Sequence, residues 1–232
     1  MSHQTLISLR DVSFAYGNRL FSRGSPDVLA RVSFDVLAGE TLAVLGRNGA
    51  GKTTLLRLLA GIFAPDSGKI WRADVEISLL SLQVGFVEHL SGRQNARISA
   101  MMLGKSRSWV DQHIDEIADF AELGSVLDRP LKTYSAGMRA RLGFSVGYLA
   151  DPEVILIDEV LGVGDIEFQE KSSAAMKERL QSNKTVVLVT HQLDTVAELA
   201  DRVVWIEGGE VRNQGAVGDI IAAYRAYSRD PG

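Results

Sequence analysis

The chain has 232 residues, 46% of them hydrophobic, enough for one large domain or a core with a small inserted lobe around a sizeable interior. Its net charge is -4 with a pI near 5.6, and it lacks the Lys/Arg run that marks a nucleic-acid tail, which argues against nucleic acid as a ligand. The absence of cysteine excludes disulfides, thiolate zinc sites and cysteine nucleophiles together, and leaves the redox compartment open. In chain order, MSHQTLISLRDVSF has no basic flank followed by a long apolar core. SLRDVSFAY and LARVSFDVLAG alternate apolar and polar residues and read as half-exposed antiparallel strands. ETLAVLG is a continuous apolar run, the pattern of a strand buried on both faces of a parallel sheet, and TLLRLLAG after it reads as a helix. From about 88 to 150 the pattern is helical without an aliphatic run, which predicts an inserted helical lobe. EVILID and KTVVLVT are again buried strands, DRVVWIEGGEVRNQG is a hairpin turning at Gly208 and Gly209, and GDIIAAYRAYSRD is helix-like. The expected class is α/β, with a mostly parallel sheet, an antiparallel N-terminal part and the helical insert. The apolar runs fall far short of the roughly 20 residues that span a bilayer, so the chain is expected to be soluble and cytoplasmic.

The strongest motif is GRNGAGKTT at 46–54, which fits GxxxxGK[ST] between a strand and a helix. Gly46, Gly49 and Gly51 let the backbone of Arg47, Asn48 and Ala50 wrap so that successive amides face phosphate oxygens, while the helix N-terminus adds partial positive charge. Lys52 is expected to reach the β- and γ-phosphates and Thr53 to ligate Mg²⁺, with Thr54 completing the set. The bland alternative is a chance glycine-rich turn. Downstream, VILID ends in Asp158 and Glu159 side by side. Two adjacent carboxylates repel each other, a cost that makes sense with Mg²⁺ and phosphate between them. Asp158 is then the metal ligand and Glu159 polarises the attacking water; the alternative is that the pair merely caps the next segment.

At this point the chain resembles the ATP-binding cassette family over nearly its whole length, with the P-loop NTPase fold that implies. YSAGM at 134–138 is similar to the family's LSGGQ signature, keeping Ser135 and Gly137 and departing at Tyr134, Ala136 and Met138. LGVGD at 161–165 stands in the D-loop position, VVLVTH ends on the switch histidine His191, and Tyr16 in VSFAYG matches the aromatic that stacks on adenine. The resemblance implies ATP and Mg²⁺ as cofactors, catalysis by Glu159, His191 and Lys52, and γ-phosphate contacts from Ser135 and the amides near Gly137 of a second cassette. The functional unit it implies is a homodimer with two identical composite sites. Gln83 is assigned as a water or Mg²⁺ ligand of the Q-loop, although the register also fits Leu82 or Ser81, and a plain loop glutamine remains the alternative.

GRNGAGKTT, LSGRQNAR, YSAGMRARLGFSV and DEVLGVGDIEFQEK together resemble the ATPases that export bacterial surface polysaccharides such as O-antigen, capsule and teichoic acid; Phe168 and Lys171 follow the last D-loop position. This implies two integral-membrane permease subunits as partners. It also implies a place at the cytoplasmic face of the inner membrane, with membrane contact only through the permease. The chain stops at Gly232 after the helix-like stretch and is expected to carry no sugar-reading C-terminal domain. The competing readings are another exporter, for lipid, peptide or drug, and a non-transport cassette. A GTPase is disfavoured because NKTV at 183–186 lacks the Asp of NKxD.

Overall fold

The computed structural model describes residues 4–17, 27–80, 85–158, 165–180, 182 and 184–229. Gln83, Glu159 and most of the D-loop stretch lie outside the described residues, as do the alternatives Leu82 and Ser81. Two units are resolved, and each has its own core. The first takes Met1–Leu79, Glu153–Glu159 and Arg179–Gly232, and the second Leu80–Pro152 and Val160–Glu178.

In the first unit, the alternating N-terminal stretches form β1 (Thr5–Phe14) and β2 (Leu29–Leu37), paired antiparallel with Leu9 opposite Phe34. β3 (Thr41–Leu45) follows, then α1 (Lys52–Leu59) and β4 (Ser67–Arg72); β4 pairs with the other edge of β1, giving a three-stranded sheet. The remaining strands are β5 (Ile77–Leu80), β6 (Val154–Asp158), β7 (Thr185–Val189), β8 (Arg202–Glu207) and β9 (Glu210–Ala216). Together with β3 they make a six-stranded sheet in the order β5-β6-β7-β3-β8-β9. β6, β7, β3 and β8 are parallel, and β9 returns antiparallel through Gly208 and Gly209, as the hairpin pattern predicts.

Every residue of β3 and β7 is buried, which is why both read as unbroken apolar runs. The pleat sends alternate residues to opposite faces. Leu42 and Val44 join the cluster that includes Ile7, Leu9, Leu55, Leu56, Leu59 and Leu156, whereas Ala43 and Leu45 meet Val203, Trp205, Ile220 and Ile221. The latter face is covered by a short helix at Leu193–Leu199 and a longer one at Val217–Arg229.

The second unit is helical: α2 (Gly92–Met102), α3 (Arg107–Ala121), α4 (Ala136–Leu149) and α5 (Ile166–Leu180), with short 3-10 turns between α3 and α4. Ser91 and Gln94 form a reciprocal capping box at the start of α2, and Ser106 caps α3 by accepting from the Trp109 amide. Ala96, Ala100, Ile117, Leu127, Leu131 and Leu142 are fully or almost fully buried in its core. The unit takes in residues beyond the helical stretch read from the sequence, and Phe168 of α5 shows why. It is fully buried and meets Phe120 and Phe144 edge-on, while Lys171 donates to the Phe120 carbonyl at 2.8 Å and to Glu122 at 2.8 Å. Arg141 of α4 adds ion pairs to Glu122 and Asp165. The helices at Leu193–Leu199 and Val217–Arg229 are α6 and α7.

Candidate nucleotide-binding site

β3 delivers the chain into the turn at 46–51, and the turn runs straight into α1. At Gly46 there is no room for a side chain, since a Cβ would lie 2.3 Å from the Ile206 carbonyl oxygen. Gly51 adopts φ 93°, and a Cβ there would lie 2.7 Å from the Val28 carbonyl oxygen. Because Gly51 is the N-cap, α1 begins without a side-chain cap, and its first turn carries no acidic residue. The positive end of the helix is therefore not answered by a local cap or carboxylate.

The side chains of Lys52, Thr53 and Thr54 point to different tasks. Lys52 is 7% exposed, and its Nζ donates to the carbonyls of Gly46 at 2.9 Å and Arg47 at 3.0 Å, which holds the ammonium against the loop that curls around it. The Thr53 hydroxyl donates to Asp158 Oδ2 at 2.7 Å across 105 residues of sequence. The Thr54 hydroxyl lies 3.0 Å from the hydroxyl of Tyr16, which also accepts from Arg57 at 3.3 Å. Tyr16 is 48% exposed and set edge-on to Phe14 and Phe63, which stack on each other 5.1 Å apart. Arg57 in this arrangement was not singled out from the sequence; its place three residues after Thr54, on the same side of α1, was the available signal.

Sheet register assembles the rest. Asp158 of β6 pairs with Val189 of β7, and Val189 pairs with Val44 of β3. Asp158, His191 just past β7, and Gly46 just past β3 thus emerge at the carboxyl ends of three adjacent parallel strands, where α/β sheets place ligands. His191 is exposed there. Ser135 and Gly137 belong to the other unit: the exposed Ser135 caps α4, its hydroxyl accepting from the Met138 amide at 3.1 Å, and Gly137 is half-buried. Tyr134 before them is buried, donates to the Val126 carbonyl at 2.7 Å, and burial pushes its phenol up to about 12.

The site fits a hydrated hard cation beside a phosphate. Among the described residues no group of three or more His, Asp or Glu could enclose a metal, but Mg²⁺ is ordinarily held by one or two protein oxygens, waters and phosphate. The contact between Thr53 and Asp158 brings two such oxygens together beside a loop whose lysine and helix end supply positive charge.

Fold and site together define a P-loop nucleotide-binding cassette. The ABC transporter family model matches residues 29–162, more than half of the chain, and the chain belongs to that family. It is 43% identical over 85% of its length to the O-antigen export system ATP-binding protein RfbB of Myxococcus xanthus, covering 45% of that protein. It is 40% identical over 86% of its length to the teichoic acids export ATP-binding protein TagH of Enterococcus faecalis, covering 44% of it. The chain thus spans less than half the length of these two relatives. Among solved structures, a dimeric ATP-binding cassette in a post-hydrolysis state bound to ADP and Pi superposes with a TM-score of 0.74 at 21% identity, over 91% of this chain and 99% of that one, which bears on the fold alone.

Proposed function

We propose that the chain is the ATP-hydrolysing subunit of an exporter that drives a lipid-linked surface polysaccharide, of O-antigen, capsule or teichoic acid type, across the cytoplasmic membrane. The observation that carries the ATPase part is the convergence of Gly46, Lys52, Thr53, Asp158 and His191 at one edge of the parallel sheet. Relatives named for O-antigen and teichoic acid export support the substrate class. The cassettes act as a homodimer beneath two integral-membrane permease subunits, at the cytoplasmic face of the inner membrane.

Bound MgATP supplies the transferable phosphoryl group. Around it, Lys52 and the amides of residues 46–51 neutralise phosphate charge, and the Thr53 and Asp158 oxygens hold the hard cation. Glu159 orients the attacking water and takes up its proton, His191 faces the γ-phosphate from the neighbouring strand end, and Tyr16 supports the adenine. Gln83 is assigned to the water or the cation. Ser135 and the amides near Gly137 of the second cassette close the site against the γ-phosphate, which is why one cassette alone binds ATP but turns it over slowly.

The test separates binding from chemistry. Glu159→Gln is expected to keep ATP affinity, lose hydrolysis by roughly 10²-fold to 10⁴-fold, and run as an ATP-bound dimer on size exclusion where the parent runs as a monomer. Parental turnover in that variant would sink the assignment. Loss of surface polysaccharide when the gene is deleted distinguishes this exporter from one for lipid, peptide or drug.

A further inference from the structure

The phosphate loop has a second attachment, made from its outer side by the C-terminal helix. Arg47, inside the loop, turns its carbonyl toward Lys52 Nζ at 3.0 Å, while its guanidinium lies over the ring of Tyr227 on α7, 5.1 Å from the ring centre. Tyr227 is fixed in turn by Trp205 of β8, with ring centres 5.2 Å apart, and by Arg212 of β9, 4.1 Å from its centre; Trp205 also meets Tyr224 edge-on. Trp205 pairs with Leu45, the last residue of β3, and the carbonyl of its neighbour Ile206 is the one that leaves Gly46 no room for a Cβ. The aromatic cluster therefore borders the point where the strand becomes the loop.

We propose that Tyr227 is a positioning residue for the phosphate loop: its ring anchors the Arg47 guanidinium, holds residue 47 so that its carbonyl faces Lys52, and thereby couples α7 to nucleotide binding. The proposal rests on the nucleotide-binding reading above. The attraction is between a cation and a ring face, so it needs the ring and not the hydroxyl.

The test uses the full chain with Trp71 and Trp109 replaced by Phe, leaving Trp205 as the one fluorophore of the three tryptophans, and titrates it with MgADP. Tyr227→Leu is expected to weaken ADP affinity about threefold to tenfold, in keeping with the loss of one partly shielded cation–ring contact, and to abolish the emission change of Trp205 on binding. Tyr227→Phe is expected to restore both. In an Arg47→Ala background, Tyr227→Leu is expected to add nothing, and this non-additivity separates anchoring from general damage to α7. A Tyr227→Leu chain that binds as tightly as its parent overturns the proposal, and so does full additivity with Arg47→Ala. A parent chain that binds no nucleotide would defeat the nucleotide-binding reading itself.

Discussion

Among the glycines of the phosphate loop, equal letters have unequal reasons. Gly46 is required by space, because a Cβ would run into the Ile206 carbonyl of the neighbouring strand, a backbone atom that cannot swing away. Gly49 has open space around it, and only its φ of 83° disfavours a side chain. Gly46→Ala is therefore expected to destabilise the chain by about 1–3 kcal/mol and to remove nucleotide binding with it, while Gly49→Ala costs about 1 kcal/mol and spares the fold. Thermal melting with and without nucleotide measures both. All of these residues were legible in the sequence, since a turn that presents amides to phosphate needs its glycines and lysine at fixed spacing. The reason particular to Gly46 was not legible, because the atom that forbids a side chain arrives from β8.

The helices differ in how much of their stability is local. α2, α3 and α4 start on serines whose hydroxyls accept from the amide three residues on, a signal contained in a few consecutive letters. α5 has a different source of stability: Phe168 packs against Phe120 and Phe144, and Lys171 reaches the end of α3. Phe168→Ala is expected to cost about 3–5 kcal/mol, seen as earlier denaturant unfolding of the helical unit, because it empties a site walled by other aromatic rings. In the sequence Phe168 and Lys171 were visible only as letters following the D-loop stretch. Their role depends on the end of a helix about fifty residues upstream.

For the whole molecule, two units with separate cores imply two local stabilities, and Tyr134 offers a handle on one of them. Burial is the largest cause that holds its phenol protonated, with its pKa raised to about 12 from an ordinary value near 10. The folded state therefore favours the protonated form. The stabilisation this gives is fully present below about pH 10 and is lost as pH rises through 12. Ultraviolet titration is expected to show the Tyr134 phenol ionising late, together with rising amide exchange at the start of α4, where the neighbouring Ser135 makes its cap. Tyr134→Phe is expected to abolish the late step.

The sequence by itself determined what depends on near neighbours: the phosphate loop, the buried strands with their unbroken apolar runs, and the hairpin turning on two glycines. Periodicity and backbone freedom act over a few residues, so they can be read letter by letter. The tertiary structure decided which strand lies beside which, because parallel strands are joined by long crossovers and their order is set by hydrogen bonds between distant segments. That order, β6-β7-β3, brings Asp158 to Thr53 and sets His191 at the same edge. It also decided that Phe168 belongs to the helical unit and that Arg47 rests on Tyr227. Packing pairs residues from opposite ends of the chain, and no local pattern encodes such a pair.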